Sequence, residues 1–150
     1  MRYSIGSDES TPLTDAIIKE LHSRGAILKL HGALASNKDT NWPIVAEFVA
    51  DDVANGQSDQ GILLCWTGTG VTMVANKISG IRAALCADAI TAGGARQWND
   101  ANVLCISLRS TSVQIALEIL ETWISNTEVD KSELSNINRL KSMDKQEVHS

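Results

Sequence analysis

Gly61-Ile62-Leu63-Leu64-Cys65-Trp66-Thr67-Gly68-Thr69-Gly70 is the stretch on which the reading of this chain turns. A short apolar run ends in a glycine-rich turn, and the following Val71 to Lys77 suits a helix, so the order is strand, loop, helix. Such a junction points successive backbone N–H groups into one hollow, where an anion or a developing oxyanion is stabilised. It also sets the Cys65 thiol at the strand end beside that hollow, as a candidate base or nucleophile. The competing reading is a buried thiol next to a tight turn that binds nothing.

Working outward, short apolar runs alternate with longer amphipathic ones. Tyr3 to Gly6 reads as a first strand, and Leu13 to Ser23 as a helix with Leu13, Ile17, Ile18 and Leu21 on one side. Thr11 before Pro12 suits an N-cap followed by proline at the first helical position. Gly25 stops that helix, and Ala26 to Leu30 is the second strand. After a polar loop from Gly32 to Asn41, a helix runs from Pro43 to about Ala54. Arg82 to Cys86 and Val103 to Ser107 are the fourth and fifth strands, separated by a helix from Asp88 to Gln97 that Gly93-Gly94 weakens. Ser112 to Ser125 is strongly amphipathic, with Val113, Ala116, Leu117, Leu120 and Ile124 on its apolar face.

This alternation predicts an α/β fold, a three-layer αβα sandwich with a five-stranded parallel sheet of the Rossmann- or flavodoxin-like kind. Ligands then bind beyond the carboxyl ends of the strands, where Asp8, His31, Cys65, Asp88 and Arg109 could share one rim. Residues 1–126 form that domain, and 127–150 a polar arm or helix. Lys131 to Val148 has too little apolar surface to stand alone, so the arm is expected to lean on a neighbouring subunit or to be disordered.

With 150 residues, 43% hydrophobic and 21% charged, the chain suits one ordinary globular domain. A net charge of −5 without a polybasic run argues against a nucleic-acid partner, and the apolar runs are far too short for a bilayer span. Met1 to Gly6 lacks a secretory apolar region, so a cytoplasmic location is expected. Cys65, Cys86 and Cys105 make no metal-like pair, Cys86 and Cys105 read as small buried hydrophobes, and the histidines are too scattered for zinc; no metal or cofactor is expected.

In this setting the chain resembles the ribose-5-phosphate isomerase type B family, which includes the galactose-6-phosphate isomerase subunits. That family shows Cys-Gly-Thr-Gly-x-Gly, then Ala-Asn-Lys, then Gly-Ile-Arg-Ala. Here stand Cys65-Trp66-Thr67-Gly68-Thr69-Gly70, Ala75-Asn76-Lys77, Gly80-Ile81-Arg82-Ala83 and, further on, the family-like Asn99-Asp100-Ala101-Asn102-Val103-Leu104. The resemblance implies metal-free aldose–ketose isomerisation of a phosphorylated sugar through an enediol. Cys65 would be the base, which needs a thiolate although a free thiol titrates at about 8.5. Thr67 and the N–H groups of Gly68, Thr69 and Gly70 would hold the enediolate oxygen. Asp8 would bond a sugar hydroxyl, Asn99 would touch substrate, and Arg109 and Arg139 match phosphate contacts. It also implies a homodimer or tetramer whose sites a neighbouring chain completes.

Departures shape the expectation. Trp98 stands where the family has the histidine that opens the furanose ring, and Glu9 stands where it has a phosphate-binding histidine. Ser135 replaces a second C-terminal arginine. A tetrose 4-phosphate cannot close a furanose ring, so tetrose or open-chain phosphates are the expected substrates. Trp66 and Trp98 either narrow the pocket, stack on a substrate face or merely pack, Trp123 reads as core, and His31 is either a replacement acid or a satisfied structural group. Asp8 could instead cap the first helix, and Arg109 and Arg139 could be surface charges. The alternative functions are a non-catalytic sugar-phosphate-binding subunit of a hetero-oligomer and a flavodoxin-like regulatory domain with Asp8 as acceptor.

Overall fold

The computed structural model describes residues 1–36 and 39–145, the side chain of residue 145 excepted. Five strands lie among them: β1 (Arg2–Ser7), β2 (Ile27–Gly32), β3 (Gln60–Cys65), β4 (Ala83–Leu85) and β5 (Val103–Ser107). All pair in parallel, in the order β2-β1-β3-β5-β4. The helices are α1 (Pro12–Ser23), α2 (Trp42–Ala54), α3 (Thr69–Ala75), α4 (Ala89–Asn99), α5 (Val113–Ser125) and α6 (Leu134–Ser142).

Strand alternation explains the layers. Successive side chains point to opposite faces, so in β3 Ile62 and Leu64 join one core while Leu63 and Cys65 join the other. The first core takes Leu13, Ile17 and Leu21 of α1 and Ile119, Leu120 and Trp123 of α5; the second takes Val45 and Val49 of α2 and Val71 of α3. The expected three-layer sandwich is therefore the fold. Trp123 is fully buried, as expected, and its indole N–H donates to Gln60 Oε1 at 2.8 Å.

Local chemistry sets the helix starts. The Thr11 hydroxyl accepts the Thr14 N–H and the Thr14 hydroxyl accepts the Thr11 N–H, a reciprocal cap before Pro12. Asp88 caps α4 through Thr91 N–H at 2.7 Å. Through the Gly93-Gly94 pair α4 runs unbroken to Asn99. A Cβ at Gly93 would lie 3.1 Å from Thr122 of α5, and one at Gly94 would lie 2.7 Å from the Trp98 ring, so the pair lets neighbours come close.

As far as residue 145 the polar arm folds back on its own chain. Asp130 N–H donates to Gln97 O at 2.8 Å, Lys141 Nζ reaches Asp100 Oδ2 at 2.5 Å, and Ile137 of α6 is 2% exposed. A cleft of about 420 Å³ remains beneath it, lined by Arg82, Asn99, Leu140 and Met143 among others. The expected continuation of the arm from residue 146 to Val148, and His149, lie outside the described residues. No helix among the described residues is long and apolar enough to cross a membrane.

Candidate active site

The chain leaves β1 for β2 on one side and places β3 on the other, so the β1–β3 boundary is where strand order reverses. In such sheets this leaves a crevice beyond the strand ends. Asp8, Trp42, Cys65, Trp66, Thr67, Thr69 and Gly70 line a cleft of about 240 Å³ there.

Cys65 is the last residue of β3 and is 5% exposed. Its loop is held from beneath by β5: Leu108 N–H donates to Cys65 O at 3.0 Å, and Arg109 N–H and Ser107 Oγ both donate to Trp66 O at 2.9 Å. Gly68 takes φ +77°, where a side chain is strained, and a Cβ there would lie 2.5 Å from Leu85 Cδ1 and 3.1 Å from the Ile106 carbonyl carbon. This left-handed residue turns the chain directly into α3, whose first-turn N–H groups have no partner within the helix. The Thr67 and Thr69 hydroxyls face each other at 2.8 Å on the mouth of the cleft. Thr72 Oγ1 donates to Gly68 O at 2.7 Å and fixes the turn from the other side.

The three thiols differ in setting. Burial pushes Cys86 and Cys105 up to about 12, so both stay protonated at neutral pH, whereas Cys65 lines the cleft. Asp8 is half-buried opposite it. Burial raises the Asp8 carboxyl above its ordinary range; a backbone hydrogen bond opposes this, and the Glu9 charge adds to it. Asp8 is not the cap of α1, which is Thr11. Glu9 is exposed, its carbonyl accepting from Ser7 Oγ at 2.6 Å.

Other sequence candidates fall elsewhere. Arg109 is exposed, two residues past β5, on the same rim. His31 lies inside β2 rather than after it and does not reach the Cys65 cleft. Its Nε2 lies 2.6 Å from Asp52 Oδ2 and its ring stacks on Phe48 with centroids 5.6 Å apart. Burial raises Asp52, but hydrogen bonds from Lys29, Ser4 and His31 outweigh it and hold the carboxyl below the ordinary range.

Trp98 and Asn99 close α4, which begins at the carboxyl end of β4 and runs back about 16 Å to the start of β5. Cys65 pairs with Ser107 at the opposite end of β5, so one copy does not bring Asn99 or Trp98 to Cys65. They line a separate cleft with Leu85 and Ile90. Arg139 is exposed on α6, which packs at that same far end. Two indoles do line the Cys65 cleft: Trp66, weighed in the sequence, and Trp42, for which the sequence reading had no role. Its place just before Pro43, at the start of a helix that follows a strand end, was the available signal.

A strand-end thiol, a left-handed glycine turn and a carboxylate gathered at the switch point of a parallel α/β sheet make this cleft the candidate active site of an α/β enzyme. The comparisons with known proteins narrow the class. Residues 4–143 match the family model described as ribose/galactose isomerase. The chain is 38% identical over 112 residues to ribose-5-phosphate isomerase B of Escherichia coli, spanning 75% of this chain and 74% of that one. It is 34% identical over 125 residues to a D-erythrulose-4-phosphate isomerase of Pectobacterium atrosepticum, spanning 83% and 82%. The solved ribose-5-phosphate isomerase B of Clostridium thermocellum superposes with a TM-score of 0.88 at 31% identity, covering 97% of this chain and 98% of that one. This chain belongs to the ribose/galactose isomerase family.

Proposed function

We propose that the chain interconverts an aldose phosphate and a ketose phosphate by proton transfer at Cys65. The observation that carries this is the convergence of Cys65, Thr67 and Asp8 on one cleft at the β1–β3 switch point, in a chain of this family. In the reaction the Cys65 thiolate removes the C2 proton of the open-chain aldose, and charge develops on O1. The Thr67 hydroxyl and the Gly68, Thr69 and Gly70 N–H groups bind that oxygen, a fixed-dipole contribution of a few kcal/mol. The thiol returns the proton to C1, and the O2 hydroxyl proton passes to O1, which completes the ketose. Asp8 accepts a substrate hydroxyl, and Arg109 takes the phosphate on the side away from the Asp8–Glu9 pair.

The substrate reading is a tetrose or other open-chain phosphate. Indole at position 98 has no proton to give a ring oxygen in the manner of a histidine, and a tetrose 4-phosphate needs none. The activity named for the Pectobacterium relative points the same way. Trp98, Asn99 and Arg139 would then serve a neighbouring copy's Cys65 cleft, which calls for a homodimer at least. In a mixture of Cys65→Ser and Asn99→Ala proteins, hybrid dimers carry one intact site each and restore about a quarter of wild-type turnover. No restoration would confine each site to one chain.

Incubation with ribose 5-phosphate, allose 6-phosphate, galactose 6-phosphate and erythrose 4-phosphate in deuterated water tests the reaction, with Cys65→Ala as control. Deuterium enters the tetrose fastest, and only with Cys65 present. Absence of exchange from all four sugars would sink the isomerase reading, and faster exchange of ribose 5-phosphate would sink the tetrose preference alone.

A further inference from the structure

We infer that Thr69 is a further catalytic residue: with Thr67 it forms a two-hydroxyl relay that carries the proton from O2 to O1 of the enediol. The inference rests on the isomerase reading and supplies the groups for its oxygen-to-oxygen proton transfer.

The Thr67 and Thr69 side-chain oxygens lie 2.8 Å apart, and either can be the donor. Both residues are exposed and line the Cys65 cleft. Gly68 between them takes φ +77°, and that turn carries the chain into α3 while both threonines stay at one mouth. Among the described residues the two hydroxyls bond only each other, whereas the Thr72 hydroxyl is spent on Gly68 O. Position 69 is the one that Cys-Gly-Thr-Gly-x-Gly leaves open, and this chain fills it with a hydroxyl.

Removal of the C2 proton by Cys65 leaves an enediolate with its charge on O1 and its remaining hydroxyl on O2. Ketose formation needs O2 to lose a proton and O1 to gain one. Direct transfer between oxygens on adjacent carbons closes a five-membered ring with a sharply bent O–H···O angle, and hydrogen bonds weaken steeply there. The two oxygens of a cis-enediolate are spaced like a hydrogen-bonded pair of hydroxyls, so the threonine pair matches them. O2–H donates to Thr69 Oγ1, Thr69 donates to Thr67 Oγ1, and Thr67 donates to O1. Three O–H bonds break and three form. O2 becomes the carbonyl oxygen as the thiol delivers its proton to C1, and both threonines end neutral.

The chemistry of the other lining side chains favours this pair. A relay must both accept and donate, which a hydroxyl does; an indole N–H only donates, so neither Trp42 nor Trp66 passes a proton on. Cys65 is engaged with the carbon-bound proton. Asp8 is the competitor, since a carboxylate takes up a proton and returns it.

The test compares two rates in deuterated water at low conversion: deuterium entering C2 of the recovered aldose, and ketose formed. The substrate is whichever of the four sugar phosphates named above wild type turns over fastest. With the relay broken, the enediolate is left to regain its proton at C2. In Thr69→Val the ratio of exchanged aldose to ketose should therefore rise at least about tenfold. Thr69→Ser restores the hydroxyl and should bring the ratio back to within about threefold of wild type. A merely structural effect would lower both rates together and leave the ratio in place. An unchanged ratio in Thr69→Val, an equal rise in Thr69→Ser, or a rise in Asp8→Asn without one in Thr69→Val would overturn the relay alone. Wild type that neither exchanges nor isomerises any of the four sugars would overturn the isomerase reading and the relay with it.

Discussion

At the carboxyl end of the sheet, Cys65, Thr67 and Asp8 line a cleft; at the amino end, Asn76, Arg82 and Asn102 spend their side chains on the chain's own backbone. Asn76 donates to Ala83 O at 2.9 Å and accepts from Ala83 N–H at 2.8 Å. Asn102 accepts from Arg82 N–H at 2.8 Å and donates to Gly80 O at 2.9 Å, while Arg82 Nε donates to Asp100 O at 2.6 Å. Four backbone groups of the Gly80–Ala83 segment and one just after α4 are thereby satisfied by side chains. Asp100, at φ 50°, closes α4 in the left-handed region, directly after Asn99. The motifs that carry the family likeness therefore divide by purpose. One lines the Cys65 cleft, and three build a clamp that seats β4 against β5 and fixes where α4 ends. Motif density marks constraint on the chain, and constraint arises from backbone satisfaction as readily as from chemistry.

Variants can break this division, and the largest effect belongs to the cleft. Cys65→Ser should lower solvent proton exchange about 10³-fold, equivalent to about 4 kcal/mol of barrier, while unfolding free energy changes by less than about 1 kcal/mol. A stability loss larger than the activity loss would make Cys65 a packing residue. Gly68→Ala comes next. The positive φ and the closeness of Leu85 should cost about 2 kcal/mol or more in urea unfolding and abolish exchange with it. At the clamp, Asn102→Ala leaves Arg82 N–H without its partner and Gly80 O with only the Arg82 Nη1 donor at 3.3 Å, a loss of about 1–3 kcal/mol in the same unfolding assay. Its exchange rate per folded molecule should stay within about threefold of wild type. A fall matching Cys65→Ser would show that the clamp governs the chemistry and end the comparison.

The smallest effect sharpens the cleft itself. Burial, and to a lesser degree the Glu9 charge, holds the Asp8 carboxyl up, so removing that charge in Glu9→Gln lets Asp8 ionise at somewhat lower pH. Since the proposed hydroxyl contact needs the carboxylate, the acid limb of exchange should move to lower pH. A limb that stays in place would exclude Asp8 from the rate.

Most of the element order could be read without the structure. Local signals suffice for it: Thr11 and Pro12 cap a helix wherever it docks, and the alternation of Ile62, Leu63 and Leu64 demands two cores. The Cys65 loop was legible for the same reason, since all its parts lie within six consecutive residues. His31, Trp42 and Trp98 were not. His31 reads as a rim residue until Asp52, twenty-one positions away in sequence, claims its ring. Glycine at 93 and 94 reads as weakness until Thr122 and the Trp98 ring occupy the space that side chains would fill.

By itself, then, the sequence determined the α/β alternation, the strand–loop–helix junction at Cys65 and the likeness to a family of isomerases, because each is written in neighbouring residues. Only the tertiary structure decided which rim residues meet. The order β2-β1-β3-β5-β4 joins Asp8 to Cys65 across the switch point, brings Trp42 onto Gly70, and sends Trp98 and Asn99 to the far end of β5. Those distances follow from how a strand pairs and where a helix turns back, and they depend on contacts between segments that sequence proximity does not encode.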